Sequence, residues 1–240
     1  GMKGVVPGHR RIVAGGQELA PEHVIETLDP FVSEERRRRV DSVLAGRTRT
    51  VVPVVEGIVN MGNVSAVMRT SEALGYQDLH LITGATRFKN SPRTSIGAEK
   101  WIDVYHWASP ADCAQTLRSQ GYRIVATHLD ETARDILELD FTRKTARVLG
   151  NERDGVSEQM LDLSDERCIL PMTGFAQSYN ISVAAAIALY RGYEDRLRRQ
   201  GHHGDLSAEE VVALRALFYF RSVRGAEAIL SSHASRSSFS

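Results

Sequence analysis

The chain has little cysteine and almost no lysine. Its 240 residues include two cysteines, Cys113 and Cys168, far apart and outside any metal-type spacing. Two buried, reduced thiols in a reducing compartment are the expectation, and no disulfide framework follows. Long apolar runs are missing too: nothing approaches the roughly 20 residues that a membrane span needs, so no membrane partner is expected. No apolar leader core opens the chain. A cytoplasmic location is expected, with an organelle reached through a removed transit peptide as the alternative. Several catalytic signatures are also absent: there is no Walker loop, no G-x-G-x-x-G, no H-E-x-x-H or C-x-x-C, and no G-x-S-x-G elbow. Nucleotide-phosphate, zinc and serine-hydrolase chemistry are left without support, and no metal is expected. His202 and His203 read as a loop pair rather than a ligand pair.

What is present is ordinary for a globular protein, with formal net charge +0 and a 42% hydrophobic share. The length suits one elaborated α/β domain or one domain with extensions. Arginine supplies 26 of the 30 basic side chains, and its planar fork suits phosphate. Position says more than number. Residues 34–49 set Arg36, Arg37, Arg38, Arg39, Arg47 and Arg49 against Glu34, Glu35 and Asp41. That stretch is a candidate polyanion patch, with a solvated helix face as the plainer reading.

Residues 1–30, rich in Gly and Pro, read as an extended arm. A helix follows from Pro30 to about Ala45. Strand-like and helix-like stretches then alternate: strands at Val51–Val55, Leu79–Ile82, Trp101–Trp107, Tyr122–Thr127, Ala146–Gly150 and Cys168–Leu170, with helices at Asn63–Leu74, Pro110–Gln120, Ser157–Leu163 and Ser182–Arg199. Residues 84–100 form a polar loop with Arg87, Lys89, Arg93 and Lys100. The alternation predicts an α/β fold with a mainly parallel sheet. After Gly201 a linker leads to one last helix beginning at Ser207, with a frayed Ser-rich tail. The organisation expected is an arm and basic helix over 1–49, a catalytic α/β domain over 50–200, and a helical extension over 201–240.

Three blocks carry candidate chemistry. In Asn60–Thr70 a strand ends, an Asn caps and a helix begins, presenting Asn63, Ser65, Arg69 and Thr70. Asn63 and Arg69 are a little under two turns apart, so both can serve one crevice at the carboxyl edge of a sheet, where open α/β folds bind ligands. In Leu149–Ser157 two glycines, Gly150 and Gly155, bracket a loop in which Glu152 can hold a ribose hydroxyl or orient Arg69. In Ile169–Ser182 proline and glycine shape a loop whose backbone groups can read an adenine edge, with Ser178 and Asn180 at the mouth of a long helix. Taken singly, each block also reads as a turn with a capped helix.

In this order the three blocks resemble motifs one to three of the SpoU family of RNA ribose 2′-O-methyltransferases, within the SPOUT superfamily, over residues 50–195. The flanking arginine helix and the added C-terminal helix resemble the branch of that family that acts on tRNA guanosine. The resemblance implies a C-terminal part threaded into a deep trefoil knot, a rare exception to the rule against knots. It further implies S-adenosylmethionine as cofactor, a homodimer whose sites combine both subunits, and tRNA (or rRNA) as partner, with the D-loop guanosine at position 18 as the nucleotide modified. Asn63, Arg69, Glu152, Ser178 and Asn180 fall on the family's catalytic positions. Thr127, Gly150, Leu170 and Tyr179 fall on positions that touch the cofactor. Arg36, Arg37, Arg38, Arg39, Arg215, Arg221 and Arg224 are expected to grip RNA phosphates. Two departures stand out: Met61 replaces a proline common in motif one, and Tyr179 replaces a leucine common in motif three. A non-catalytic knotted RNA-binding dimer and an unrelated dinucleotide enzyme are the competing classes, the latter opposed by the missing glycine fingerprint.

Overall fold

A computed structural model of the chain describes residues 11–84, 98–128 and 132–237. Strands β1 (Ile12–Ala14) and β2 (Gln17–Leu19) form an antiparallel hairpin. Its turn, Gly15-Gly16, has φ of 59° and 76° at its two residues, a conformation glycine adopts without a Cβ penalty. Helix α1 (Pro21–Leu28) opens with proline in its first turn, where the missing N–H costs nothing. Residues 1–30 are therefore not the plain arm expected, since 12–28 carry regular structure. Helix α2 (Glu34–Ala45) is capped by Ser33, whose side chain accepts from the Arg36 N–H at 3.1 Å.

The chain next runs β3 (Val51–Glu56), α3 (Met61–Ala73), β4 (Asp78–Ile82), β5 (Asp103–Trp107), α4 (Pro110–Ser119), β6 (Arg123–Thr127), β7 (Arg134–Asp135), β8 (Thr145–Leu149), α5 (Glu158–Leu163), β9 (Glu166–Ile169) and α6 (Ile181–Gln200). Two more helices end it, α7 (Ala208–Ser222) and α8 (Ala226–Ser237). The expected single final helix is thus two, with Gly225 at φ 72° between them. The tail read as frayed is helical through Ser237. Of the polar loop read at 84–100, residues 85–97 lie outside the described residues, and Ala98–Lys100 form a short 3-10 turn.

The chain divides into two compact units, one of residues 1–47 and 204–240, the other of residues 48–203. In the first, α1 packs on α7 and α8, and α2 packs on α7. Gly204 runs so close to the end of α2 that a Cβ there would meet the Ala45 carbonyl oxygen at 1.8 Å.

In the second unit seven parallel strands lie in the order β5-β4-β3-β8-β6-β9-β7. The α/β architecture expected from the alternation is present. Every side chain of β3 and β8 is buried, as a parallel sheet covered on both faces requires, and this accounts for the four valines of β3. One face packs under α3 and α6 through Val55, Val67, Leu81, Val125, Leu149 and Ala185. The other packs under α4 and α5 through Val52, Ile82, Leu117, Val148 and Met160. The amino ends of β3, β4 and β5 are tied by Arg49, whose guanidinium reaches Asp78 at 3.4 Å and Asp103 at 3.2 Å. Because all seven strands are parallel, the loops after β3, β6, β8 and β9 leave one common edge.

Candidate active site

Each of the three blocks begins at that edge. β3 ends in Glu56, and Gly57 turns the chain at φ 75°. Asn60, rather than Asn63, is the N-cap of α3, its side chain accepting from the Asn63 N–H at 3.2 Å. The cap fixes the first turn of α3, with Val64, Val67 and Met68 facing the core. Asn63 is left half-exposed toward the edge and Arg69 fully exposed.

The second block is welded to the first. Both Glu56 carboxylate oxygens are taken by Ser157, from its N–H at 2.6 Å and its hydroxyl at 2.8 Å. Asn151 donates to the Gly57 carbonyl at 3.1 Å, while its own oxygen accepts from the Arg153 N–H at 2.7 Å. Neither Glu56 nor Asn151 is among the residues expected at the site. An Asn next to glycine in a turn carries that signal, since its side chain bonds its own backbone two residues on. Gly150 cannot be replaced without moving backbone: a Cβ there would lie 2.2 Å from the Gly155 carbonyl carbon and the Val156 nitrogen. Thr127, at the end of β6, donates from its hydroxyl to the Val148 carbonyl at 3.1 Å.

The third block meets the first across 117 residues of sequence, where the Asn180 amide donates to Asn63 Oδ1 at 3.3 Å. The other end of the Asn180 amide caps α6, accepting from the Ser182 N–H at 2.9 Å and the Ser182 hydroxyl at 2.6 Å. One side chain thus serves the fold and the site together. Leu170 is buried in the core at the start of the loop, and the residues from Pro171 to Ser178 are exposed. The Tyr179 hydroxyl closes this loop by donating to the Pro171 carbonyl at 2.5 Å, a bond that leucine could not make.

Asn63 and Asn180 therefore touch. Thr127, Gly150, Leu170 and Tyr179 lie at the same edge, on the ends of β6, β8 and β9 and in the loop before α6. Arg69, Glu152 and Ser178 are exposed and make no side-chain hydrogen bond or ion pair among the described residues. In the other unit Arg37 pairs with Asp29 at 3.1 Å, Arg38 with Glu34 at 2.6 Å and Arg215 with Asp41 at 2.5 Å. Arg36, Arg39 and Arg224 are exposed, and Arg221 is half-buried. Among the described residues no cluster of His, Cys, Asp and Glu suited to a metal is present, and no helix is long and apolar enough to cross a membrane.

A family model described as the SpoU rRNA Methylase family matches residues 50–190, the span that carries all three blocks. The chain belongs to the SpoU family. A relative from Borreliella burgdorferi named tRNA (guanosine(18)-2'-O)-methyltransferase is 34% identical over 200 residues, 83% of this chain and 91% of the relative. Among solved structures, the A. aeolicus TrmH/SpoU tRNA modifying enzyme superposes with a TM-score of 0.71 at 30% identity, covering 80% of this chain and 98% of that one. The SpoU methyltransferase AviRb from Streptomyces viridochromogenes, solved in complex with AdoMet, superposes at 0.57 with 25% identity over 63% of this chain and 62% of that one. The SpoU match ends at residue 190, inside α6, so the family's shared part is the sheet with its edge loops. Arg36–Arg39 and the helices after residue 201 lie outside it.

Proposed function

We propose that this SpoU protein transfers the methyl group of S-adenosylmethionine to the 2′-hydroxyl of guanosine 18 in the D-loop of tRNA. The observation that carries this reading is the Asn180–Asn63 hydrogen bond, which draws the first and third motifs to one point of the sheet edge. The guanosine and its position follow from the name of the B. burgdorferi relative, of which the chain covers 91%.

The residues present fit the cofactor. The loops after β8 and β9 offer backbone donors and acceptors beside the apolar Leu170, a combination suited to a neutral adenine edge, and Gly150 keeps the crossing backbone close. Thr127, Gly150, Leu170 and Tyr179 would hold it. The cofactor supplies an electrophilic methyl group. Asn63 and Asn180 orient each other and the incoming ribose, while Ser178 and Glu152 line the rim to accept hydrogen bonds from its hydroxyls. Arg69 has two candidate tasks. It can pass a proton to solvent on meeting the substrate phosphate and then take the 2′-hydroxyl proton as base, against the strong preference of a guanidinium to stay charged. Alternatively it stays charged, fixes that phosphate and stabilises negative charge developing on the 2′-oxygen. Both roles require the group to be solvent-facing before RNA binds, as Arg69 is.

Three further elements belong to the proposal. β8 inserts between β3 and β6, and β9 between β6 and β7; this entry of later strands between earlier ones supports a trefoil knot. On α6, Val183, Tyr190 and Leu197 are exposed apolar side chains at spacings of seven residues, with Ile187 between the first two, and this supports a homodimer through that helix. The exposed Arg36, Arg39 and Arg224, together with Arg37, Arg38, Arg215 and Arg221, form the tRNA grip, and the cytoplasm is the location proposed. Replacing Arg69 by Ala tests the chemistry. Methyl transfer to tRNA is expected to disappear while S-adenosylmethionine binding by calorimetry persists. Substantial residual transfer would sink both roles of Arg69.

A further inference from the structure

Arg147 occupies the middle of β8 with no exposed surface. Its neighbours on that face of the sheet are Val125, Leu149 and Cys168, and its charge is felt at the Cys168 thiol, which burial raises and Arg147 lowers. Only Nη1 is engaged, donating to the Val125 carbonyl at 3.3 Å and the Val148 carbonyl at 3.2 Å. Nε and Nη2 are buried with no hydrogen-bond partner, and no carboxylate pairs with the group among the described residues. A guanidinium buried in this way costs several kcal/mol unless something compensates its charge. Arg196, equally buried, is better served: it bonds Phe141, Thr48 and His203 through three nitrogens.

The Val148 carbonyl locates the unpaired group. It accepts Arg147 Nη1 and also the Thr127 hydroxyl, at 3.2 and 3.1 Å. The guanidinium and the Thr127 hydroxyl therefore meet at one carbonyl, at the carboxyl ends of β6 and β8, where the cofactor is proposed to sit. RNA phosphates are carried on a bulky polymer and have no path to a fully covered side chain. The methionine tail of the donor is slender and ends in a carboxylate, whose two oxygens match the two free nitrogens of the fork, Nε and Nη2.

We infer that Arg147 is the carboxylate-binding group for the amino-acid tail of the methyl donor. The inference rests on the proposed methyl-transfer reading. The tail enters between Thr127 and Leu170, and its carboxylate pairs with Nε and Nη2 of Arg147. The residues from Pro171 to Ser178 are exposed, so moving this loop aside gives up little beyond the Tyr179–Pro171 hydrogen bond.

Calorimetry on the full-length protein with two probes tests it. S-adenosylhomocysteine carries the carboxylate, and 5′-methylthioadenosine shares the nucleoside and sulfur but has no amino-acid tail. In Arg147→Met, affinity for S-adenosylhomocysteine is expected to fall about tenfold or more, while affinity for methylthioadenosine changes by less than about twofold. The unliganded Arg147→Met protein should melt no lower than the parent, because a lone buried charge has been removed. Arg147→Lys keeps the charge without the fork and should show the same selective loss to a smaller degree. Equal loss of both probes in either variant, or no loss of S-adenosylhomocysteine, overturns the assignment. Failure of the unmodified protein to bind S-adenosylhomocysteine is a different result and strikes the methyl-transfer reading itself.

Discussion

Asn180 holds two jobs that substitution can separate. Its Oδ1 caps α6 through the Ser182 N–H at 2.9 Å, and its amide nitrogen reaches Asn63 at 3.3 Å. Serine is about as good an N-cap as asparagine, whereas alanine is poor and costs about 1 kcal/mol. Serine, however, is too short to reach Asn63. Asn180→Ser should therefore leave stability within about 0.5 kcal/mol, and Asn180→Ala should lower it by about 1 kcal/mol, a Tm shift of roughly 2–4 °C for a chain of this size. Both should abolish the positioning bond to Asn63. At about 0.5–1.5 kcal/mol for a net hydrogen bond, kcat/KM for methyl transfer should fall roughly 2- to 12-fold from that bond alone. Urea denaturation and a tritium-transfer assay on the same preparations measure the two effects, and Asn63→Ala combined with Asn180→Ser should be little worse than either alone. If Asn180→Ser kept full activity, or if activity tracked stability across Ser and Ala, the bond would have no part in the site.

Other substitutions address the rest of the molecule. His80 is fully buried on β4, accepts from the Trp107 indole N–H at 3.0 Å, and is held by burial at a pKa of about 3 against an ordinary 6.5. Its neutral form is favoured in the fold, so its contribution is complete above about pH 6.5 and declines as pH falls toward 3. Between about pH 6.5 and 5 the parent should lose up to about 1.4 kcal/mol per pH unit more than His80→Phe, and parallel slopes in urea melts would contradict this. Gly150→Ala forces apart backbone that a Cβ would meet at 2.2 Å; a stability loss of about 1–3 kcal/mol and weakened S-adenosylhomocysteine binding are expected by melting and calorimetry. Replacing both Arg36 and Arg39 with Gln should reduce the slope of log K for tRNA against log salt by about one for each phosphate no longer neutralised, and an unchanged slope would remove α2 from the tRNA grip.

Six of the seven strands of the sheet were legible, as buried apolar runs or as stretches bounded by glycine and helix caps, while β7, two residues long, was not. Val51–Val55 and Leu79–Ile82 each differ from the observed strand by a single residue at one end. The hairpin over 12–19 escapes the pattern because three-residue strands have too little alternation to register, although Gly15-Gly16 carries the turn signal. The helix Ala226–Ser237 escapes it because its serines mask the period. Sheet order was beyond reach, since β8 enters between strands laid down earlier and no local pattern encodes that. The site was legible as a set of motifs and not as a set of touching side chains. Nothing near Asn63 announces Asn180, and the welding residues Glu56 and Asn151 read as ordinary strand and turn positions. Arg147 falls inside the strand expected at Ala146–Gly150, but its burial without a carboxylate beside it depends on neighbouring strands that no local pattern encodes.

The activity proposed is methylation of one ribose in tRNA. Purified protein incubated with S-adenosylmethionine and unmodified tRNA transcript should place a single 2′-O-methyl group on guanosine 18, mapped by resistance of that phosphodiester to alkaline cleavage, and Arg69→Ala should place none. A methyl group mapped elsewhere on the tRNA, transfer only to ribosomal RNA, or no transfer from a protein that binds the donor would contradict it.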